Sequence, residues 1–182
     1  MNDKGKNCAK RKSDELLDII DKKGNVIGSG SRSSLHNDPT KIHMTTNILI
    51  VNLNREVLVQ MRSRKKRYGG GIWEISAGGH VDKGETPDKC AKRELEEELG
   101  IQTKLHYIDK KVFRFDNESE LAHLYFGRSE GPFKFDREEI EKIKFVKYSR
   151  LKNFLKCNRI ESMLQLWLPK IESMKEIIFK GL

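Results

Sequence analysis

The eight residues Arg93-Glu94-Leu95-Glu96-Glu97-Glu98-Leu99-Gly100 place four carboxylates within five positions of a chain whose formal net charge is +9. On a helix, carboxylates three and four residues apart face one another and repel, each pair costing about 0.2–0.5 kcal/mol. At about 100° per residue, Ala91, Leu95 and Leu99 form an apolar stripe, while Lys89, Lys92 and Glu96 face solvent. Glu94, Glu97 and Glu98 share the arc between them. A run of acids is most often a solvated face. Here Glu98 borders the apolar stripe, and a plain surface helix would gain more from alternating charge signs along that arc. A divalent cation removes the repulsion: oxygen ligands at helical spacing suit Mg2+ or Mn2+, with water and a substrate phosphate filling the remaining positions.

The elements that must position these groups can be read outward from the helix. Thr86 is a good N-cap, Pro87 suits the first helical position and Gly100 suits the residue after the last turn, which predicts a helix over 87–99. Upstream, LLDIID (16–21) and VIG flank Gly24-Asn25 and read as a hairpin, followed by a Ser- and Gly-rich loop that ends near Pro39. Two β-branched runs in HMTTNILIVNLNREVLVQMR, divided by Asn52-Leu53-Asn54, predict a second, longer hairpin of central strands. The stretch 62–71 reads as a loop, 72–76 as a short strand and AGGHVDKGE as a loop again. Strands are expected at 103–114, 120–128 and 143–148, the first two antiparallel across DNES. The tail has helical spacing of Leu164, Trp167, Leu168 and Ile171, with a break or kink at Pro169. Many strands with one strongly capped helix and helical segments at the end predict an α+β fold, a sheet between helices.

At 182 residues one domain is expected, spanning 13–182, with 1–12 a flexible basic tail. No apolar run reaches the 18 or so residues of a membrane span, and the N-terminus lacks the apolar core of a signal peptide, so a cytoplasmic protein with no membrane partner is expected. Cys8, Cys90 and Cys157 are odd in number and in no CxxC spacing, which argues for reduced thiols rather than disulfides or zinc. The excess of 36 Lys and Arg over 27 acids fits either nucleic acid or small polyanions, and composition does not separate the two.

The segment before the helix narrows the choice. Gly79, five residues, Glu85, seven residues, then Arg93-Glu94-Leu95-x-Glu97-Glu98-x-Gly100-Ile101 resembles the Nudix box, G-x5-E-x7-R-E-U-x-E-E-x-G-U, at every defined position. The resemblance implies a Nudix fold, a mixed β-sheet sandwiched between α-helices, and metal-dependent cleavage of a pyrophosphate linkage in a nucleoside diphosphate derivative or other organic diphosphate. It implies that Glu94, Glu97 and Glu98 bind Mg2+ or Mn2+, with the Gly79 carbonyl a further ligand. It also implies that Arg93 and Glu85 pair to hold the loop against the helix.

Residues 14–150 further resemble the branch that includes isopentenyl-diphosphate isomerase and its hydrolase-like bacterial relatives. That likeness implies a second ligand set: His36 and His43 in an H-x6-H pair, His80 after Gly79, and Glu118 and Glu120 in an E-x-E. The isomerases carry a proton-transferring cysteine before the G-H, and here that position is Gly78. Cys90 lies in the wrong segment to replace it, so hydrolysis ranks above isomerisation. For the diphosphate, the cations Arg62, Lys66 and Arg67 are candidates, Arg62 being nearest the strand, with Arg64 and Lys65 in the same loop. Trp73 is either core or a stacking surface for substrate. Glu138 and Glu139 could supply a loop carboxylate or cap a turn. A non-catalytic Nudix-fold module for RNA or another ligand is the rival from another class, and the C-terminal apolar spacing fits core or homodimer packing.

Overall fold

Turn chemistry starts the fold. Asp21 accepts from the amides of Lys23 and Asn25, and Gly24 takes φ +93°, so the chain reverses between β1 (Leu16–Ile20) and β2 (Val26–Ser31). This computed structural model describes residues 15–66 and 69–180; the basic tail 1–12 and Arg67 lie outside the described residues. A single helical turn, α1 (Arg32–Leu35), precedes β3 (Ile42–Val51), which is followed by β4 (Glu56–Arg62), β5 (Trp73–Glu74) and β6 (Ala77–His80). Then come α2 (Pro87–Leu99), β7 (His106–Arg114), β8 (Ser119–Arg128) and β9 (Ile140–Lys147). The chain ends in α3 (Tyr148–Cys157), α4 (Ser162–Ser173) and α5 (Lys175–Ile178).

The expected second hairpin forms only at its turn. Val51 pairs with Val57, and beyond that point β3 and β4 part. Along its length β3 runs parallel to β8 from Ile42↔Ser119 to Val51↔Arg128, while β4 runs antiparallel to β9. Ser76 sits in the split: its hydroxyl accepts from the Ile50 amide at 2.8 Å and donates to the Leu58 carbonyl at 2.6 Å. The segment expected as a loop, AGGH, is instead β6, paired antiparallel with β3 from Ile48↔Ala77 to Thr45↔His80. Small residues permit this because they let the strand slide beneath a helix.

Side chains alternate across β3 as strand geometry requires. Ile48 and Ile50 pack with Leu58, Leu95 and Leu99 under α2, whereas Leu49 and Val51 join Leu151, Leu164 and Trp167 under α3 and α4. The mixed sheet is therefore covered on both faces, as the sequence implied. Leu95 is 1% exposed, and burial of such a side chain contributes about 1.5–3 kcal/mol. α2 has the expected bounds: the Thr86 hydroxyl accepts from the Lys89 amide and Gly100 adopts φ +64°. α3 was not separated from the rest of the tail by sequence, and Pro169 sits inside α4 rather than ending it. No helix among the described residues is long and apolar enough to cross a membrane.

Candidate active site and metal centre

The glutamates of α2 meet β6 at very close range. A Cβ built on Gly79 would stand 2.2 Å from Glu94 Oε1, so only glycine lets the helix carboxylate lie against the strand backbone. Arg93 binds the assembly together. Its Nε and Nη2 donate to the two oxygens of Glu85 at 3.1 and 2.8 Å, a two-pronged pairing; Nη2 also reaches the His80 carbonyl at 3.1 Å. Its Nη1 donates to Glu94 at 2.7 Å and Glu97 at 3.4 Å. Burial is the largest single influence on Glu85 and opposes its ionisation, but the Arg93 fork, the Asp82 amide and the Arg93 charge together outweigh it and hold that carboxyl below its usual range.

The three glutamates differ in surroundings. Glu94 is 5% exposed and lines the cavity described below. Glu98 lines it too; its Oε2 accepts from the Gly78 amide and from Gln60 Nε2, both at 3.1 Å. Glu97 is exposed at the edge of the helix, within reach of Arg93 but outside that lining.

Opposite them, four groups from four chain segments converge. His36 follows α1, His43 is on β3, His80 ends β6 and Glu118 precedes β8; one ligand atom from each lies within 4.8 Å of the others. His36 Nε2 is 2.9 Å from His80 Nε2 and 3.1 Å from Glu118 Oε2. Among the described residues, both ring nitrogens of the buried His43 lack a hydrogen-bond partner, and Glu118 Oε2, also buried, has only the contacts with His36 and, at 3.8 Å, His43. Burial holds His36 and His43 down to about 4, so their imidazoles are neutral and able to ligate at pH 7. Converging neutral imidazoles, a carboxylate and orphaned buried donor atoms fit a divalent transition ion. Glu120 lies two residues along β8, outside this quartet. It accepts from Thr45 Oγ1 at 2.9 Å, and burial, reinforced by the charge of Glu118, pushes its carboxyl up to about 7.

Both groups open onto one cavity of about 370 Å³, in which Glu94 and Glu98 share the wall with His36, His80, Glu118 and Glu120. Among the described residues, its arginines are Arg32, 3.4 Å from Glu15, and Arg62, 3.8 Å from Glu74. Three other cations of the basic loop pair elsewhere. Arg64 pairs with Glu141 at 3.6 Å, Lys65 with Glu138 and Lys66 with Glu139. Lys66, expected at the substrate, is ion-paired with Glu139 and does not line this cavity, and Glu138 and Glu139 are its loop's counter-charges. Of the two readings for Trp73, the core one fits its surroundings: it is 6% exposed, edge-on to Phe154 and absent from the cavity wall. Its backbone instead bridges to the connection before α4, accepting from the Glu161 amide and donating to the Arg159 carbonyl. That strap brings Glu161 and Met163 to the cavity.

Sequence reading missed Gln60, Arg32 and Glu161. Gln60 carried a signal, since it is the lone polar residue at an inward position of VLVQM. Arg32 and Glu161 had none, because only the fold brings their segments to the site. Cys90 is buried beside Thr46 Oγ1, and burial pushes its thiol up to about 12, which leaves it unreactive.

Comparison with known proteins agrees with this geometry. The NUDIX domain family matches residues 41–166. An isopentenyl-diphosphate Delta-isomerase of Streptomyces avermitilis is 28% identical over 75% of this chain and 73% of its own length. An uncharacterized Nudix hydrolase of Yersinia pestis is 34% identical over 71% of each chain. In fold, the crystal structure of DR0079 from Deinococcus radiodurans superposes with a TM-score of 0.71 at 20% identity, covering 84% of this chain and 96% of that one. With its box residues assembled on α2 and β6 and its sheet enclosed by helices, the chain belongs to the Nudix family.

Proposed function

We propose that this protein hydrolyses the pyrophosphate linkage of a small organic diphosphate with the help of divalent cations. The observation that carries the reading is that Glu94 and Glu98 open onto the same cavity as the histidine cluster, while Gly78 brings no side chain to it. Glu94, Glu98 and the Gly79 carbonyl would hold Mg2+ or Mn2+, with Glu97 reaching in from the helix edge; His36, His43, His80 and Glu118 would hold a second ion. Bound there, such ions supply positive charge to phosphoryl oxygens and make water a better nucleophile at neutral pH. Arg62 and Arg32 meet the remaining phosphate charge. Arg93 keeps Glu94 in register with β6, and a cavity carboxylate takes the proton that the attacking water loses.

Isomerisation is the second reading, favoured by the names of relatives such as the Streptomyces protein. It needs a proton donor and acceptor at an allylic carbon, and the place where the isomerases carry their cysteine is here a glycine. The test is phosphate release with and without Mg2+ or Mn2+ across nucleoside diphosphates, nucleotide sugars, thiamine diphosphate and isopentenyl diphosphate, following the isoprenoid product mixture as well. Metal-dependent release is expected, with Glu98→Gln slowing it by about 100-fold or more and the solvent-facing Glu96→Gln leaving it within about twofold. No release, together with steeply salt-dependent nucleic-acid binding, would point to a binding module instead.

A further inference from the structure

Gln60 is a buried amide at the centre of the proposed site, and half of it is unaccounted for. It lies on β4 two residues after Leu58, on the face turned towards α2, and is 3% exposed. Its Nε2 donates to Glu98 Oε2 at 3.1 Å. As a cation ligand in the hydrolytic reading, Glu98 would be an anion that only accepts, so this hydrogen bond requires the Gln60 nitrogen to face it. The consequence is that Oε1 is buried at the cavity wall with no hydrogen-bond partner among the described residues.

An orphaned buried acceptor destabilises the fold, because it has given up water for nothing. Support of Glu98 does not explain it, because the Gly78 amide already donates to the same Oε2 at 3.1 Å. Filling space does not explain it either, since Leu58 and Ile143 show that apolar side chains suit this part of the sheet. What remains is a donor that arrives through the cavity.

We propose that Gln60 is a positioning residue for the attacking water: Nε2 fixes Glu98 while Oε1 accepts a hydrogen bond from the water. This rests on the hydrolytic reading above. In the step, the water oxygen forms a bond to phosphorus and the bridging P–O bond breaks, its electron pair leaving with the phosphate fragment. One water proton passes to a cavity carboxylate, and the other stays hydrogen-bonded to Gln60 Oε1 until the new phosphate is formed. Fixing the water in this way aligns it with the P–O bond being broken, the geometry on which displacement rates depend most steeply.

The test compares Gln60→Met and Gln60→Leu with the wild-type protein. Both variants remove the orphaned acceptor in favour of an apolar group of similar size, so their thermal midpoints should be equal or higher. The expected kinetic result is a fall in kcat of about 100-fold with KM within about twofold and Mn2+ affinity unchanged. A crystal structure of the wild-type protein should show an ordered water within hydrogen-bond distance of Gln60 Oε1, lost in Gln60→Met. Unchanged kcat with a lowered midpoint would make Gln60 a packing residue and overturn the proposal. A matching loss of Mn2+ affinity would overturn it too, by placing the role of Gln60 in holding the cation site, through Glu98 or directly, rather than in holding water. If the wild-type protein turns over no diphosphate, hydrolysis itself has failed; a protein donor found on Oε1 would remove the water site whatever the activity.

Discussion

At the scale of single residues, two absent side chains decide most. Gly78 and Gly79 lie where β6 is pressed between β3 and α2: a Cβ on Gly78 would stand 2.5 Å from the Thr46 carbonyl oxygen, and one on Gly79 would overlap Glu94. The first contact shows that the lack of an isomerase-like cysteine is built into the backbone rather than being a simple exchange of side chains. Gly78→Cys should therefore lose stability, by about 1–3 kcal/mol from overpacking, and should not acquire double-bond isomerisation. Thermal unfolding and NMR of the products from isopentenyl diphosphate check both halves. A well-folded variant that interconverts the isomers would overturn this account. The box residues were legible in sequence because their spacing is local to one helix and the loop before it. The meaning of Gly78 was only half legible, since the Thr46 carbonyl that excludes a side chain comes from a strand more than thirty residues away.

At the scale of elements, α2 was readable to the residue because its caps are local chemistry: a hydroxyl at Thr86, a fixed φ at Pro87 and a left-handed Gly100. Strand pairing was less readable. The turn at Asn52 to Arg55 looked like a hairpin and is one, yet β3 then takes β8 and β6 as partners, choices made by residues far along the chain. The ion pairs of the basic loop were unreadable for a related reason. Its charges suited a diphosphate, but the nearest acids are Glu138, Glu139 and Glu141, placed beside it by the pairing of β4 with β9. Those exposed ion pairs add little stability. Position relative to the cavity separates the described cations, since Arg62 lines it and Lys65 and Lys66 do not: Arg62→Ala should raise KM about tenfold or more, whereas Lys65→Ala and Lys66→Ala should change it less than about twofold. Steady-state kinetics on the best substrate decides this, and a large KM effect at Lys66 would show that the loop opens during turnover.

At the scale of the whole molecule, the cavity exists because β3 and β4 part and every layer contributes to the gap: α2 gives glutamates, β8 and the residue before it give Glu120 and Glu118, and the strap from Trp73 brings Glu161. Gathering so many acids in one enclosed space has a cost that the metal-free protein should reveal. Glu120 is raised from an ordinary 4.5 to about 7, with burial the main cause and Glu118 the second. Its folded pKa lies above its unfolded value, so its contribution is fully present below pH 4.5 and is lost as pH rises through about 7. Above that point its ionised form is a buried charge that the fold must carry. In metal-free protein, Glu120→Gln removes this charge while its amide oxygen can still accept from Thr45. The variant should gain on the wild type steadily between pH 4.5 and 7, reaching an advantage of about 3 kcal/mol above pH 7. Denaturant unfolding of both proteins in a chelator across that range measures the difference. A difference that stays flat with pH would mean that Glu120 ionises as freely in the folded protein as in the unfolded chain. Saturating Mn2+ adds a second reading: if the ion draws on the Glu120 carboxylate, the advantage of the Gln variant should shrink or reverse, because the cation neutralises the charge that the empty cavity cannot.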